Sequence, residues 1–223
     1  MLRGLFVTGT GTGVGKTVVS AALLHRMTRT ANRPVRYWKP VQTGVEQDDD
    51  TATVRRLSGC APGAVLEAGV RLPRPLSPHV AARLAGTRID LRELTAVARA
   101  QPARIRWIVE GAGGVLVPLN ERHFMLDLIA RLGMPALVVA STRLGTINHT
   151  LLTLAALRRR RIGIAGVLMV GPRNDRNRAA IESYGGVAVP GVLPQLRPLT
   201  AAALRRWARQ DLDSAHELER WFR

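Results

Sequence analysis

GLFVTGTGTGVGKT, residues 4–17, decides the fold. A β-prone run enters a glycine-rich turn, and GKT opens a stretch with apolar residues at helical spacing. A strand, a glycine loop and a helix start together form a phosphate cradle, because backbone N–H groups and the positive end of the helix face the anion. In such a cradle Lys16 reaches the outer phosphates and Thr17 can ligate Mg²⁺. The loop is not a literal GxxxxGK[ST]: counting back from Gly15, the first required glycine falls on Thr10, with Gly9 one place earlier.

Outward from this loop the same alternation continues. Short β-type runs at 35–41, 105–110, 135–141, 164–170 and 187–193 are separated by longer stretches, of which 16–30, 91–100 and 151–161 carry helical periodicity. That pattern predicts an α/β fold, a mostly parallel central sheet flanked by helices, of the P-loop NTPase type. A length of 223 residues with no linker, repeat or low-complexity tract predicts a single domain over 1–223. Residues 61–78, rich in Pro and Gly, read as an irregular excursion over the sheet edge.

Composition limits the setting. The longest apolar runs, at 134–140 and 164–170, fall far short of the ~18 residues of a membrane span. The N-terminal run passes into the glycine loop with no cleavage signal. The lone Cys60 cannot form an internal disulfide, so the expectation is a soluble, cytoplasmic protein. The net charge is +17, and among 33 basic residues only Lys16 and Lys39 are lysines. The arginines are scattered, and the densest run, LRRRR at 157–161, ends an apolar segment where cations complement a helix C-terminus. They read as a solvated surface rather than a nucleic-acid face.

Ligands in such folds sit beyond the carboxyl ends of the strands, so the residues there are the candidates. The second run delivers Lys39, then Thr43, Gly44 and three aspartates at 48–50. Two readings of the triplet stay open: Asp50 as a helix cap, or one carboxylate turned towards Mg²⁺, which favours one or two carboxylates plus phosphate oxygens. The third run ends in Glu110, followed by Gly111, Ala112, Gly113 and Gly114, an acid suited to a metal beside backbone pressed against phosphate or base. After the fourth, Gly145, Thr146 and Ile147 form the first turn of a helix able to hold an anion. His149 reads as structural rather than as a general base, and Ser77, Pro78 and His79 as a helix start.

In order, FVTGTGTGVGKT, KPVQTG, the aspartate before TATV, LSPH, VEGAGG and RLGTINHT resemble the dethiobiotin synthetase family over roughly the first 170 residues. The resemblance implies a homodimeric P-loop enzyme taking 7,8-diaminononanoate, CO₂ and ATP or another nucleoside triphosphate with Mg²⁺. It implies that Gly13, Val14, Gly15, Lys16, Thr17 and Val18 hold the phosphates, and that Thr17, Asp50 and Glu110 surround the metal. Gly111, Ala112, Gly113, Val170, Gly171 and Pro194 would complete the nucleotide site. Lys39 and Lys16 would be catalytic, Lys39 lying between carbamate and γ-phosphate. Thr12 and Thr43 would contact the substrate. Gly145, Thr146, Ile147 and Asn148 would bind its carboxylate from the neighbouring subunit.

Two positions depart from the family's common pattern. Gly13 stands where an acid often precedes Val-Gly-Lys, and Val170–Gly171 where Asn-Asp often reads adenine. The second departure leaves room for another triphosphate, such as CTP. Partitioning-type P-loop ATPases, some of which bind DNA, are the rival reading, but they usually carry an extra lysine where this chain has Gly11. A corrinoid amidoligase would need a glutaminase partner domain, for which 223 residues leave no room.

Overall fold

The computed structural model describes residues 2–223. The strands are β1 (Arg3–Gly9), β2 (Val35–Trp38), β3 (Val41–Thr43), β4 (Val65–Leu66), β5 (Val70–Leu72), β6 (Arg106–Gly114), β7 (Ala136–Ser141), β8 (Ile164–Val170) and β9 (Gly191–Leu193). The α-helices are α1 (Lys16–Thr30), α2 (Asp50–Ser58), α3 (Pro78–Leu84), α4 (Leu91–Arg99), α5 (Met125–Leu132), α6 (Thr146–Arg159), α7 (Asp175–Gly185) and α8 (Ala201–Gln210). Seven strands form one sheet in the order β4-β2-β6-β1-β7-β8-β9, every pairing parallel, while β3 and β5 make a small parallel pair of their own. Among the described residues no helix is long and apolar enough to cross a membrane.

A parallel sheet must be covered on both faces, and alternate residues of each strand supply the two cores. Phe6, Trp107, Val109 and Val138 face α4 and α5, whereas Leu5, Val7, Ile108 and Leu137 face α1. On the α1 side, Tyr37 of β2 lies beside Ile108 of β6. By the same alternation Lys39 and Glu110, two residues further along each chain, emerge on the face of the helix that follows the glycine loop.

The second run is broken where the sequence predicts a continuous strand. β2 stops at Trp38, and after Pro40 the chain resumes as β3 in the small sheet. Proline lacks the N–H that a central ladder needs, so Lys39 and Pro40 mark the departure point. The region 61–78 is only partly irregular: it supplies β4 at the sheet edge and β5 as partner of β3. α6 starts at Thr146, earlier than periodicity alone indicates, and the last strand is limited to Gly191–Leu193.

The C-terminal residues, silent in the sequence, cover α1. Leu204, Trp207, Leu212, Leu218 and Phe222 join Leu23, Leu24 and Met27 in one core. Arg26, almost wholly buried, donates to the carbonyls of Ala208, Arg209 and Asp213 at 3.1–3.3 Å and meets Glu219 at 3.0 Å. Arg26→Ala strands two buried carbonyls, a third that is partly buried and a carboxylate at once, so urea unfolding should show a stability loss of about 3 kcal/mol. A loss below about 1 kcal/mol, the worth of one ordinary hydrogen bond, would mean that apolar packing alone holds the segment.

Candidate active site

The glycine loop joins β1 to α1, and Gly15 caps the helix with φ of 98°. This left-handed backbone favours glycine, and space adds a second reason, since a Cβ there would lie 3.1 Å from a methyl of Val170. Lys16, 7 % exposed, folds back to donate to the Gly11 carbonyl at 2.8 Å. Burial lowers its pKa to about 8; the Glu110 and Asp50 carboxylates oppose that shift and the Lys39 charge adds to it. The ammonium therefore remains the major form at neutral pH.

Four further side chains meet beside it. Thr17 Oγ1 lies 2.5 Å from Asp50 Oδ1 and 3.0 Å from Glu110 Oε1, its single proton serving one carboxylate at a time. Lys39 Nζ bridges Asp50 Oδ2 at 2.5 Å and Glu110 Oε1 at 2.7 Å. Burial alone would lower the Lys39 pKa, but the Glu110 and Asp50 carboxylates outweigh it and hold the ammonium above its ordinary value. Glu110 is fully buried, and its other oxygen, Oε2, accepts from Tyr37 OH at 3.1 Å. Burial, reinforced by the Glu110 charge, keeps that phenol protonated well beyond its usual range.

The aspartate triplet divides its work. Asp49, not Asp50, caps α2, accepting from the Thr51 and Ala52 N–H groups at 2.9 and 3.2 Å. Arg71 donates to the other oxygen, Oδ2, at 2.8 Å, and the buried Gln42 donates to the capping oxygen, Oδ1, at 3.3 Å. Asp50 is thereby the first helical residue, with its side chain turned to Thr17 and Lys39. Neither Gln42 nor Tyr37 is among the residues picked from the sequence; for Tyr37 the signal is a polar group inside the β-type run 35–41, whereas Gln42 lies one place past that run.

The glycines after Glu110 are not a loop: β6 runs on to Gly114, which pairs with Gly9. A Cβ on Gly114 would lie 3.3 Å from the Gly9 carbonyl. The end of the GAGG segment thus lies close against the phosphate loop, while Gly111 faces Phe6 and Met125. Thr12 and Gly13 are exposed at the loop's tip, with open space over Gly13. Val14 and Val18 are half-buried and pack on the α1 core.

The remaining candidates flank this cluster. Val170 packs on Gly15, and Gly171 with φ of 136° leaves room for the Thr142 hydroxyl. Gly171 and Pro194 line a cavity of about 460 Å³ together with Arg173, Asp175 and Trp207. The amide-bearing neighbours serve the fold there, because Asn174 caps α7 and Asn177 donates to the Thr142 carbonyl. Thr43 ends β3, half-buried. Gly145 caps α6, Thr146 is buried against the Ser141 carbonyl, Ile147 is half-buried and Asn148 is exposed; no hydrogen bond joins this turn to the lysine–carboxylate cluster. His149 is exposed on the same helix.

The donor set fits a hard divalent cation. One hydroxyl and two carboxylates, all oxygen, converge within hydrogen-bonding distance at the helix start. Among the described residues no group of three or more His, Cys, Asp or Glu converges to form a closed metal cage. Mg²⁺ favours the first arrangement, completing its shell with water and phosphate oxygens.

A parallel sheet, a glycine loop wrapped on a helix start and a buried lysine–carboxylate cluster define a P-loop nucleotide-dependent protein. The family model described as AAA domain matches residues 3–203. The ATP-dependent dethiobiotin synthetase BioD of Paramagnetospirillum magneticum is 50 % identical over 203 residues, covering 91 % of this chain and 93 % of that one. Its counterpart in Agrobacterium fabrum is 42 % identical, covering 96 % of each. Among solved structures, a ParA family ATPase from Chlorobium tepidum aligns with TM-score 0.59 at 10 % identity, over 100 % of this chain and 98 % of that one, a likeness of fold alone. The chain belongs to the ATP-dependent dethiobiotin synthetase family.

Proposed function

We propose that this chain closes the ureido ring of dethiobiotin from 7,8-diaminononanoate, CO₂ and a nucleoside triphosphate, as a homodimer of 1–223 domains in the cytoplasm. The observation that carries the reading is the meeting of both lysines of the chain with Thr17, Asp50 and Glu110 at the phosphate loop.

One amine of the substrate takes up CO₂ as a carbamate. A carbamate oxygen attacks the γ-phosphorus, displacing the nucleoside diphosphate, and the second amine then attacks the carbonyl carbon, releasing phosphate and closing the ring. Both transfers crowd negative charge into one volume, so positioning and fixed positive charge supply most of the catalysis. Lys16 and the N–H groups of residues 13–18 hold the β- and γ-phosphates. Lys39, anchored on the two acids, presents its ammonium between carbamate and γ-phosphate. Thr17, Asp50 and Glu110 hold Mg²⁺, which when bound neutralises charge on the phosphate oxygens. Thr12 and Thr43 offer hydroxyls to the substrate.

The base lies beside Val170, Gly171 and Pro194, with Gly111–Gly113 along the phosphates. Because no side-chain amide follows β8 directly, base recognition falls to backbone groups, and triphosphates other than ATP are candidates. The first turn of α6, Gly145–Asn148, takes the substrate carboxylate of the neighbouring subunit, so the two-fold interface completes each site. Exposed Leu144, Leu152 and Tyr184 on or beside α6 and α7 support an apolar interface there.

The deciding experiment supplies diaminononanoate, labelled bicarbonate, Mg²⁺ and each of the four triphosphates in turn. Labelled dethiobiotin is expected, with activity not confined to ATP. Folded protein that incorporates no label with any nucleotide would overturn the reading; a strong preference for ATP would overturn only the relaxed base selection.

A further inference from the structure

Beyond the family's motif residues, one buried group is aimed at the proposed metal site: the Tyr37 hydroxyl. Tyr37 is fully buried on β2, and its O–H donates to Glu110 Oε2 at 3.1 Å. The two oxygens of Glu110 therefore have separate partners. Oε1 faces Lys39 at 2.7 Å and Thr17 at 3.0 Å, while Oε2 is held from behind by the tyrosine. The strand register makes this contact, because Tyr37 pairs with Ile108 and its ring runs along the α1 face towards residue 110.

A carboxylate with a free torsion can turn either oxygen, or neither, towards a cation. A hydrogen bond on one oxygen fixes that torsion and leaves the other aimed. We propose that Tyr37 is a positioning residue for the divalent cation: its hydroxyl locks the Glu110 carboxylate with Oε1 turned to Thr17 and Lys39. Partners of this kind, one shell behind a metal ligand, alter metal affinity by about 10–100-fold when removed. The inference rests on the proposed metal reading of Thr17, Asp50 and Glu110.

Tyr37→Phe removes the hydroxyl and keeps the ring. Mn²⁺ binding in the presence of a non-hydrolysable ATP analogue, followed by electron paramagnetic resonance, should weaken about tenfold. The Mg²⁺ concentration giving half-maximal activity should rise in parallel, with kcat recovered at saturating Mg²⁺ and the KM for diaminononanoate unchanged. A role in packing alone would lower the melting temperature and leave the metal dependence as it was. A second readout needs no variant. The chain has two tyrosines, and Tyr184 is 77 % exposed. In protein labelled with fluorotyrosine, Mn²⁺ should broaden the ¹⁹F resonance of Tyr37 and spare that of Tyr184. Unchanged Mn²⁺ affinity in Tyr37→Phe, or broadening of neither resonance, overturns the positioning role while leaving wild-type metal binding in place. Absence of Mn²⁺ binding in the wild type overturns the metal reading and this inference with it.

Discussion

Lys39→Arg is expected to lower kcat on the order of a thousandfold while nucleotide binding largely survives. The charge is kept, so the loss must come from shape. Lys39 Nζ is wedged between Asp50 Oδ2 and Glu110 Oε1, and the side chain is 5 % exposed. An ammonium radiates three donors from one point and can touch both acids while offering the third outwards; a guanidinium is a broad planar fork whose five donors are spread over one plane and cannot converge on the single point between the two acids. The fork would pull away from one acid and fill the space proposed above for carbamate and γ-phosphate. Removing one pre-aimed donor of developing charge costs about 10²–10³ in rate elsewhere, and here the substitution also displaces reactants. Single-turnover formation of labelled product, set against nucleotide affinity from a fluorescence titration, separates the two effects. Near-normal turnover would reduce Lys39 to a source of charge that either cation can supply.

Glu110→Gln should be nearly as damaging and should also reach stability. Glu110 has no exposure and meets Thr17, Lys39 and Tyr37 at once. The amide keeps the volume and removes the charge, leaving buried Lys39 with Asp50 alone. Breaking a buried ion pair costs about 3–5 kcal/mol when nothing remains, so with Asp50 still in place a loss of about 2 kcal/mol in urea unfolding is expected. Activity should fall at least about a hundredfold, because the Lys39 ammonium, the donor aimed at developing charge, loses one of its two anchors. A variant as stable as the parent and with its full Mg²⁺ dependence would remove Glu110 from both roles.

Much of the fold can be read from periodicity. The helix at 16–30 and the strands at the sheet centre follow from apolar spacing, because burial on both faces leaves that spacing little choice. Weaker places are those where tertiary contact overrides local pattern. GAGG after Glu110 looks like a loop, since glycine disfavours strands, yet it is a strand, and at its end the missing side chain of Gly114 lets β6 lie against the backbone of Gly9 and Gly11. Pro40 hides a change of sheet inside one apolar run. At the site, the motif residues Lys16, Thr17, Lys39, Asp50 and Glu110 do come together, and the choice between the two readings of the aspartates turns on Asp49, whose capping role depends on where α2 begins. The role of Tyr37 is not legible locally, because its partner Glu110 is 73 positions away along the chain and the two meet only through the strand register.

The lysine–carboxylate cluster has equal numbers of charges of each sign: Lys16 and Lys39 against Asp50 and Glu110. Seen from a distance it is neutral, so it exerts little pull on an approaching triphosphate. The long-range field comes instead from the arginine-rich exterior that gives the chain its net charge of +17. At physiological ionic strength that field fades over about 8 Å. Under the proposed function, capture and chemistry fall to different parts of the molecule: the scattered arginines set how often a polyphosphate arrives, and the neutral quartet what becomes of it.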